Sequence, residues 1–164
     1  MKRILVMGFC GELNYIIDDL GAREDTCVFS ISDHERADIN IFDSFRRKML
    51  KSSKQNNEFY HQMEEHFVVF KELYSRHWYP RCISDLEYKS FFHYFIDFFL
   101  ELIDRKSFDS VVFDNIPHEG PDFVVYHLFK VLGLDVVIFY QSQFSGRSYV
   151  SSDLDIFSTK ESDK

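Results

Sequence analysis

The residues with the clearest chemical capacity lie in one polar stretch, Asn115–Asp122. His118 and Glu119 are adjacent there. An imidazole exchanges a proton near neutral pH, and a carboxylate can act as a base or orient a sugar hydroxyl. Two prolines restrict the backbone, and Asp122 in the first turn of a following helix would complement the helix dipole. We therefore predict a rigid loop in which His118 and Glu119 are candidate catalytic residues. Asn115 and Asp122 are candidate substrate-binding residues. The alternative stays open that His118 and Glu119 are ordinary loop residues and that Asp122 is only a capping charge.

A second polar segment, Gln141–Arg147, follows the last predicted strand. Arg147 could bind a phosphate or a carboxylate through two parallel hydrogen bonds. Gln141 and Arg147 are therefore further candidate substrate-binding residues. The alternatives are a surface salt bridge for Arg147 and an inward-facing tie between two loops for Gln141.

Two glycines, Gly8 and Gly11, end the first apolar run and are also candidates for substrate binding. Their spacing differs from the dinucleotide fingerprint G-x-G-x-x-G, and no acidic residue stands clearly in the expected place after the second strand. A tight turn is the simpler explanation of both glycines, so no nucleotide cofactor is predicted.

The histidines and cysteines do not predict a metal site. His61, Glu65 and His66 lack the H-E-x-x-H order, and the spacing of the two histidines turns their rings apart on a helix. The three cysteines are far apart, odd in number and without a C-x-x-C pair. This pattern argues against a zinc site or a disulfide framework and favours a reducing cytosol.

Four apolar runs predict the strands that would position these segments. The predicted strands are Ile4–Gly8, Thr26–Ile31, Asp109–Asp114 and Asp135–Tyr140, with helices at Leu13–Leu20 and Pro121–Leu132. The last two strands are joined by a helix, so they should run parallel with a right-handed crossover. Ligands bind beyond the carboxyl ends of parallel strands, which places the site in the loops that follow them.

Two long helices are predicted between the early and the late strands. Residues Glu58–His77 carry large apolar side chains at three- and four-residue steps, which is typical of one buried helical face. Leu86–Ile103 follows a Ser84–Glu87 capping box. The mixed polar stretch before them predicts irregular structure around one short helix at Phe42–Leu50.

The predicted fold class is α/β, a Rossmann-like open, mainly parallel sheet flanked by helices, with an inserted pair of long aromatic-rich helices. The 164 residues and their 45% apolar content fit one globular domain. That domain is predicted to span residues 1–150, followed by a polar, frayed tail at 151–164.

Charge and hydropathy limit the partners. A formal net charge of −8 argues against nucleic acid, because binding to its phosphates needs clustered lysines and arginines. The densest apolar run, Phe91–Ile103, is shorter than the roughly 20 apolar residues that span a bilayer. We predict a cytoplasmic protein without a transmembrane segment, and peripheral association with a membrane is compatible with this prediction.

The chain from about Arg81 onward resembles the N-terminal domain of bacterial capsular and surface-polysaccharide glycosyltransferases of the GT-B type. The resemblance rests on a strand before Pro117-His118, on Asp122 with Tyr126 in the next helix, and on Gln141 with the later Arg147. It implies transfer of a sugar from a nucleotide donor to a growing glycan, with this domain facing the glycan acceptor. In GT-B enzymes a second Rossmann domain supplies most of the nucleotide-sugar site, so the resemblance implies a partner domain and an isolated chain without turnover.

Three functions remain open at this point. The first is the acceptor-side domain of a glycosyltransferase, with His118 or Glu119 as the base and Arg147 as an anion contact. The second is a non-catalytic binding or interaction domain that uses the same cleft or the aromatic helices. The third is a small-molecule enzyme such as a hydrolase, although the sequence has no G-x-S-x-G elbow.

Overall fold

The computed structural model of the protein describes residues 1–8, 14–32, 37–40, 57–77, 84–141 and 148–154. Their elements, in chain order, are β1 (Lys2–Met7), α1 (Asn14–Gly21), β2 (Thr26–Ser32), β3 (Ile39–Asn40), α2 (Asn57–Glu64), α3 (Phe67–His77), α4 (Asp85–Lys106), β4 (Ser110–Phe113), α5 (Gly120–Val131), β5 (Asp135–Gln141) and β6 (Ser148–Ser151). The predicted helix at Phe42–Leu50 lies outside the described residues.

The strands form one mixed sheet in the order β3-β2-β1-β4-β5-β6. All neighbouring pairs run parallel except β5 and β6, which are antiparallel. The predicted parallel pairing of the two late strands is confirmed, with Val111 opposite Val136. The described residues therefore form an α/β fold with a mostly parallel six-stranded sheet, which fits a Rossmann-like class. The short edge strands β3 and β6 were not predicted.

The central strands are apolar on both faces because each face is covered. Side chains alternate across a strand, so Leu5 and Val111 face one side while Val6 and Val112 face the other. The first side packs on the aromatic rings of the later helices, among them Phe95 of α4. On the second side a smaller cluster includes Ile17 of α1.

The predicted helix Glu58–His77 is two helices, α2 and α3, so the prediction of only two inserted helices was wrong. His66 donates its backbone N–H to the Met63 carbonyl at 3.0 Å, a three-residue bond that replaces the four-residue ladder at the break. The buried face persists across the break, with Met63, Phe70 and Tyr74 buried.

The predicted capping box at the start of α4 is confirmed. Ser84 donates its backbone N–H to Glu87 Oε2 at 2.7 Å, and Glu87 N–H donates to Ser84 Oγ at 3.3 Å. The helix then runs for 22 residues and ends at Ser107, which has a left-handed φ of 53°. No described helix has the combination of length and apolar character needed to cross a membrane.

The described chain continues in contact with the domain beyond the predicted boundary at residue 150. Tyr126 of α5 donates its hydroxyl to Asp153 Oδ1 at 3.1 Å, and Leu154 N–H donates to the Tyr126 oxygen at 3.2 Å. Lys130 is 3.1 Å from Asp153 Oδ2. These contacts hold residues 151–154 on α5, and residues 155–164 lie outside the described part of the chain.

The first residue of α5 lies unusually close to α3. A Cβ added at Gly120 would be 2.6 Å from Tyr74 Cδ2 and 3.0 Å from Phe70 Cε2. Only a residue without a side chain fits there unless these two rings move. Gly120 thus sets how closely the N-terminus of α5 approaches the aromatic helices.

We predict that Gly120→Ala lowers the free energy of unfolding by about 1–3 kcal/mol, because overpacking forces the two rings from their positions. Urea denaturation measures the change. Gly21→Ala is the matched control, since a Cβ at the end of α1 meets nothing within 4 Å. Equal stabilities of the two variants would contradict the close-approach explanation.

Candidate functional site

The loop between β4 and α5 lies at a topological switch point of the sheet. In the observed strand order the chain continues from β1 to β2 on one side and from β4 to β5 on the other. The two strands end together, since Asp114 N–H donates to the Met7 carbonyl at 3.2 Å. Ligands of open parallel sheets bind outside the carboxyl ends of strands at such a point. The predicted loop therefore has the location expected of a binding site.

A carboxylate that sequence reasoning did not select, Asp114, lies at this switch point. Gly8 has a φ of +86°, and a Cβ on it would be only 2.7 Å from Asp114 Cγ. Gly8 thus lets the carboxylate lie against the end of β1. Loss of water raises the pKa of Asp114, while the nearby His118 opposes the rise. The available sequence signal was an acidic residue directly after the apolar run that forms β4.

His118 is exposed on the loop, and its ring is oriented by the loop itself. Its Nδ1 is 2.7 Å from the Ile116 carbonyl oxygen. A carbonyl only accepts hydrogen bonds, so Nδ1 carries the proton and the lone pair of the neutral ring lies on Nε2. Nε2 is therefore the basic nitrogen of the neutral His118 ring.

Asp122 occupies the third position of α5 and binds the backbone on both sides of itself. His118 N–H donates to Oδ2 at 3.0 Å, and Phe123 N–H donates to Oδ1 at 2.7 Å. These are the contacts expected of the capping alternative. The side chain is partly buried. Loss of water outweighs the two hydrogen bonds and raises the pKa of Asp122 to about 7, with the charge of Glu119 adding to the rise.

Glu119 and Asn115 complete the predicted loop. Glu119 is the N-cap residue of α5 in extended backbone conformation, and its side chain makes no capping hydrogen bond. Its charge raises the pKa of both Asp114 and Asp122. The Ile116 N–H donates to the Asn115 side-chain oxygen Oδ1 at 2.8 Å. This hydrogen bond restrains the start of the loop. His118 and these carboxylates are close enough to influence one another.

The structure describes only some of the other predicted site residues. Gly8 ends β1 beside Asp114, as described above. Gln141 is the last residue of β5, so its backbone lies at the same edge of the sheet as the loop. Its side chain is outside the described part, as are Gly11 and Arg147 altogether.

His127, further along α5, stacks on His66, which lies between α2 and α3. The rings of His66 and His127 have centroids 3.5 Å apart and an angle of 21° between their planes. Phe123 and Tyr126 each pack edge-on against His127. Loss of water lowers the pKa of both histidines, that of His127 to about 3, where His66 also contributes. Asp153 acts in the opposite direction on His127.

The fold and the loop together define an α/β protein with a candidate site of acidic residues and one histidine at the carboxyl edge of its parallel sheet. Compared with known proteins, the chain matches no family model, no curated protein and no solved structure.

Proposed function

We propose that this chain is the acceptor-binding domain of a glycosyltransferase that builds a bacterial surface polysaccharide, and that a second domain supplies the nucleotide sugar. The observation that carries the proposal is the orientation of His118. Its Nδ1 is hydrogen bonded to the Ile116 carbonyl at the carboxyl edge of the sheet, so Nε2 is the proton acceptor. The proposal also draws on the sequence resemblance of this loop and its flanking elements to such enzymes.

In the proposed reaction, an acceptor hydroxyl oxygen attacks the anomeric carbon of the donor sugar, and His118 Nε2 takes the proton of that hydroxyl. The bond from the sugar to the nucleoside diphosphate breaks, and the diphosphate leaves with the bonding electron pair into the second domain. The proton would be taken up beside two carboxyl groups, since Asp114 and Asp122 both interact electrostatically with His118. Glu119 is the alternative base. Its side chain makes no capping bond, which is compatible with contact to a ligand.

The charge of the segment from Asp114 to Asp122 favours a neutral, hydroxyl-rich ligand. The segment from Asp114 to Asp122 contains three carboxylates and no lysine or arginine. Binding a nucleoside diphosphate calls for cationic or N–H donors directed at its phosphates. The described residues of the loop therefore suit a glycan acceptor better than a nucleotide donor, which supports assigning the donor to a second domain.

One observation favours a non-catalytic binding domain as the second candidate. Two predicted substrate contacts, Asn115 and Asp122, use their side chains to hold the backbone of the loop. A loop stiffened in this way could present His118 and Glu119 to a partner without any proton transfer.

Titration of the isolated chain separates the donor and acceptor roles. We expect neutral oligosaccharide fragments of the surface polysaccharide to shift the NMR signals of the Asn115–Asp122 loop in a saturable way. Nucleoside diphosphate sugars are expected to give no saturable shift there, because the segment from Asp114 to Asp122 contains three carboxylates and no lysine or arginine. Calorimetry gives the affinities of both ligand classes. Specific binding of a nucleotide sugar by this chain alone would contradict the acceptor assignment.

A further inference from the structure

We propose that Asp122 is a positioning residue, whose carboxylate ties the His118 backbone to the first turn of α5 and thereby fixes the direction of the imidazole. The value of this role for sugar transfer rests on the proposed function. The role itself concerns only the geometry of the loop and can be tested without a substrate.

The tie consists of two hydrogen bonds to one carboxylate. Oδ2 accepts the His118 N–H at 3.0 Å, and Oδ1 accepts the Phe123 N–H at 2.7 Å. A rotation of the carboxylate that broke one bond would disturb the other. Asp122 therefore moves with the helix, and the backbone of His118 moves with Asp122.

The helix end that holds this tie is itself fixed by packing. Gly120 lies against the rings of Tyr74 and Phe70, which leave no room for a Cβ. Phe123, one residue beyond Asp122, is buried in the main core. The first turn of α5 is therefore a rigid reference for the exposed residue His118.

His118 is then restrained at two points. Asp122 holds its backbone N–H, and the Ile116 carbonyl holds its ring at Nδ1 with a distance of 2.7 Å. Ile116 is fixed in turn by the Asn115 side chain. Together these bonds set where Nε2 points. A proton acceptor has to be held within about 0.5 Å of its productive position, which a loop residue achieves only with such support.

The competing explanation is that Asp122 only caps the helix. A capping carboxylate stabilises the N-terminus of a helix, and its loss weakens that helix. A purely capping role predicts that the protonation site of the His118 ring does not depend on Asp122. The tautomer of His118 therefore distinguishes the two roles.

The test uses the ¹⁵N-labelled chain and the variant Asp122→Ala. We expect amide hydrogen exchange at His118 to be at least about 10-fold faster in the variant, because the His118 N–H loses its hydrogen bond to the Asp122 carboxylate. The ring ¹⁵N shifts should change from a single dominant Nδ1–H tautomer to a mixture. Asp18→Ala, at an exposed position of α1, is the control and should leave both signals unchanged.

A folded Asp122→Ala variant with wild-type His118 ring shifts and exchange would overturn the proposal. If that variant does not fold, the same signals are measured in Asp122→Ser, whose hydroxyl is too short to reach the His118 N–H. Wild-type His118 ring shifts and exchange in Asp122→Ser would likewise overturn the proposal. No glycan is present in these measurements, so their failure would leave the proposed transferase function standing, and failure of glycan binding would leave the positioning role standing.

Discussion

Replacing His118 by alanine in the assembled two-domain enzyme is expected to lower kcat by about 10²–10⁴-fold, the range measured for loss of a general base. The physical reason is that no other imidazole lies on the loop, and water would have to take the proton from the acceptor hydroxyl. KM for the glycan should change little, because the lost interaction is one that develops in the transition state. Initial rates at varied acceptor concentration separate the two constants.

His61→Ala is the matched control for this prediction. His61 is an exposed histidine of α2, away from the Asn115–Asp122 loop in sequence, and its replacement should leave kcat unchanged. Thermal unfolding of both variants shows whether the domain is intact. A folded His118→Ala enzyme with wild-type kcat would remove His118 from the role of base and direct the search to Glu119.

The strands were predictable because their sequences carry a strong local signal. Runs such as Ile4 to Met7 and Val111 to Phe113 are continuously apolar, as expected of strands buried on both faces of a parallel sheet. The capping box before α4 is also local, since Ser84 and Glu87 are only three residues apart. By contrast, β3 has only two residues, and it is a strand because it pairs with β2. A segment of two residues is too short for a sequence pattern to predict it.

The break between α2 and α3 could not be predicted from periodicity. The spacing from Met63 to Phe67 and Phe70 stays in helical register across it. His66, at the break, stacks on His127 of α5, which is a contact with a distant part of the chain. The spacing of apolar residues shows which face of a helix is buried. It does not show where a helix is interrupted, because the residue at this break makes its contact with a distant part of the chain.

The candidate site shows the same division. The place of the loop between a strand and a helix could be predicted, because its prolines and its first-turn acid act over a few residues. The sequence offered only one signal for Asp114, an acidic residue directly after an apolar run, and its contact with Gly8 just after β1 appears only in the folded chain. The orientation of the His118 ring and the tie from Asp122 likewise required coordinates.

Two groups on α5 should give the stability of the protein opposite dependences on pH. The pKa of His127 is lowered to about 3 from an ordinary value of 6.5, and the pKa of Asp122 is raised to about 7 from 3.8. Below pH 6.5 the unfolded chain binds a proton at His127 that the folded chain does not. The free energy of unfolding therefore decreases as the pH is lowered from 6.5 towards 3. Between pH 7 and 3.8 the folded chain holds a proton at Asp122 that the unfolded chain releases, so the same free energy rises as pH falls.

These effects overlap between pH 6.5 and 3.8 and should largely cancel in the wild-type protein. Each can contribute at most about 1.4 kcal/mol per pH unit, and partial exposure of both side chains reduces that. The lowered pKa of His66 and the raised pKa of Asp114 form a second pair with the same opposition. The free energy of unfolding of the wild-type protein should therefore change little with pH, although the separate contributions of the histidines and the aspartates each change strongly.

Single substitutions should separate the two effects. His127→Phe keeps an aromatic ring against His66 and removes the proton site, so its free energy of unfolding should rise from pH 7 to pH 5 relative to wild type. Asp122→Asn removes the other site and should show a fall over the same interval. Urea denaturation at each pH should give differences on the order of 1–2 kcal/mol in opposite directions. His61→Gln, at an exposed histidine, serves as the control with an unchanged profile. Parallel profiles for wild type and both variants would mean that neither side chain is shielded from water as the structure indicates.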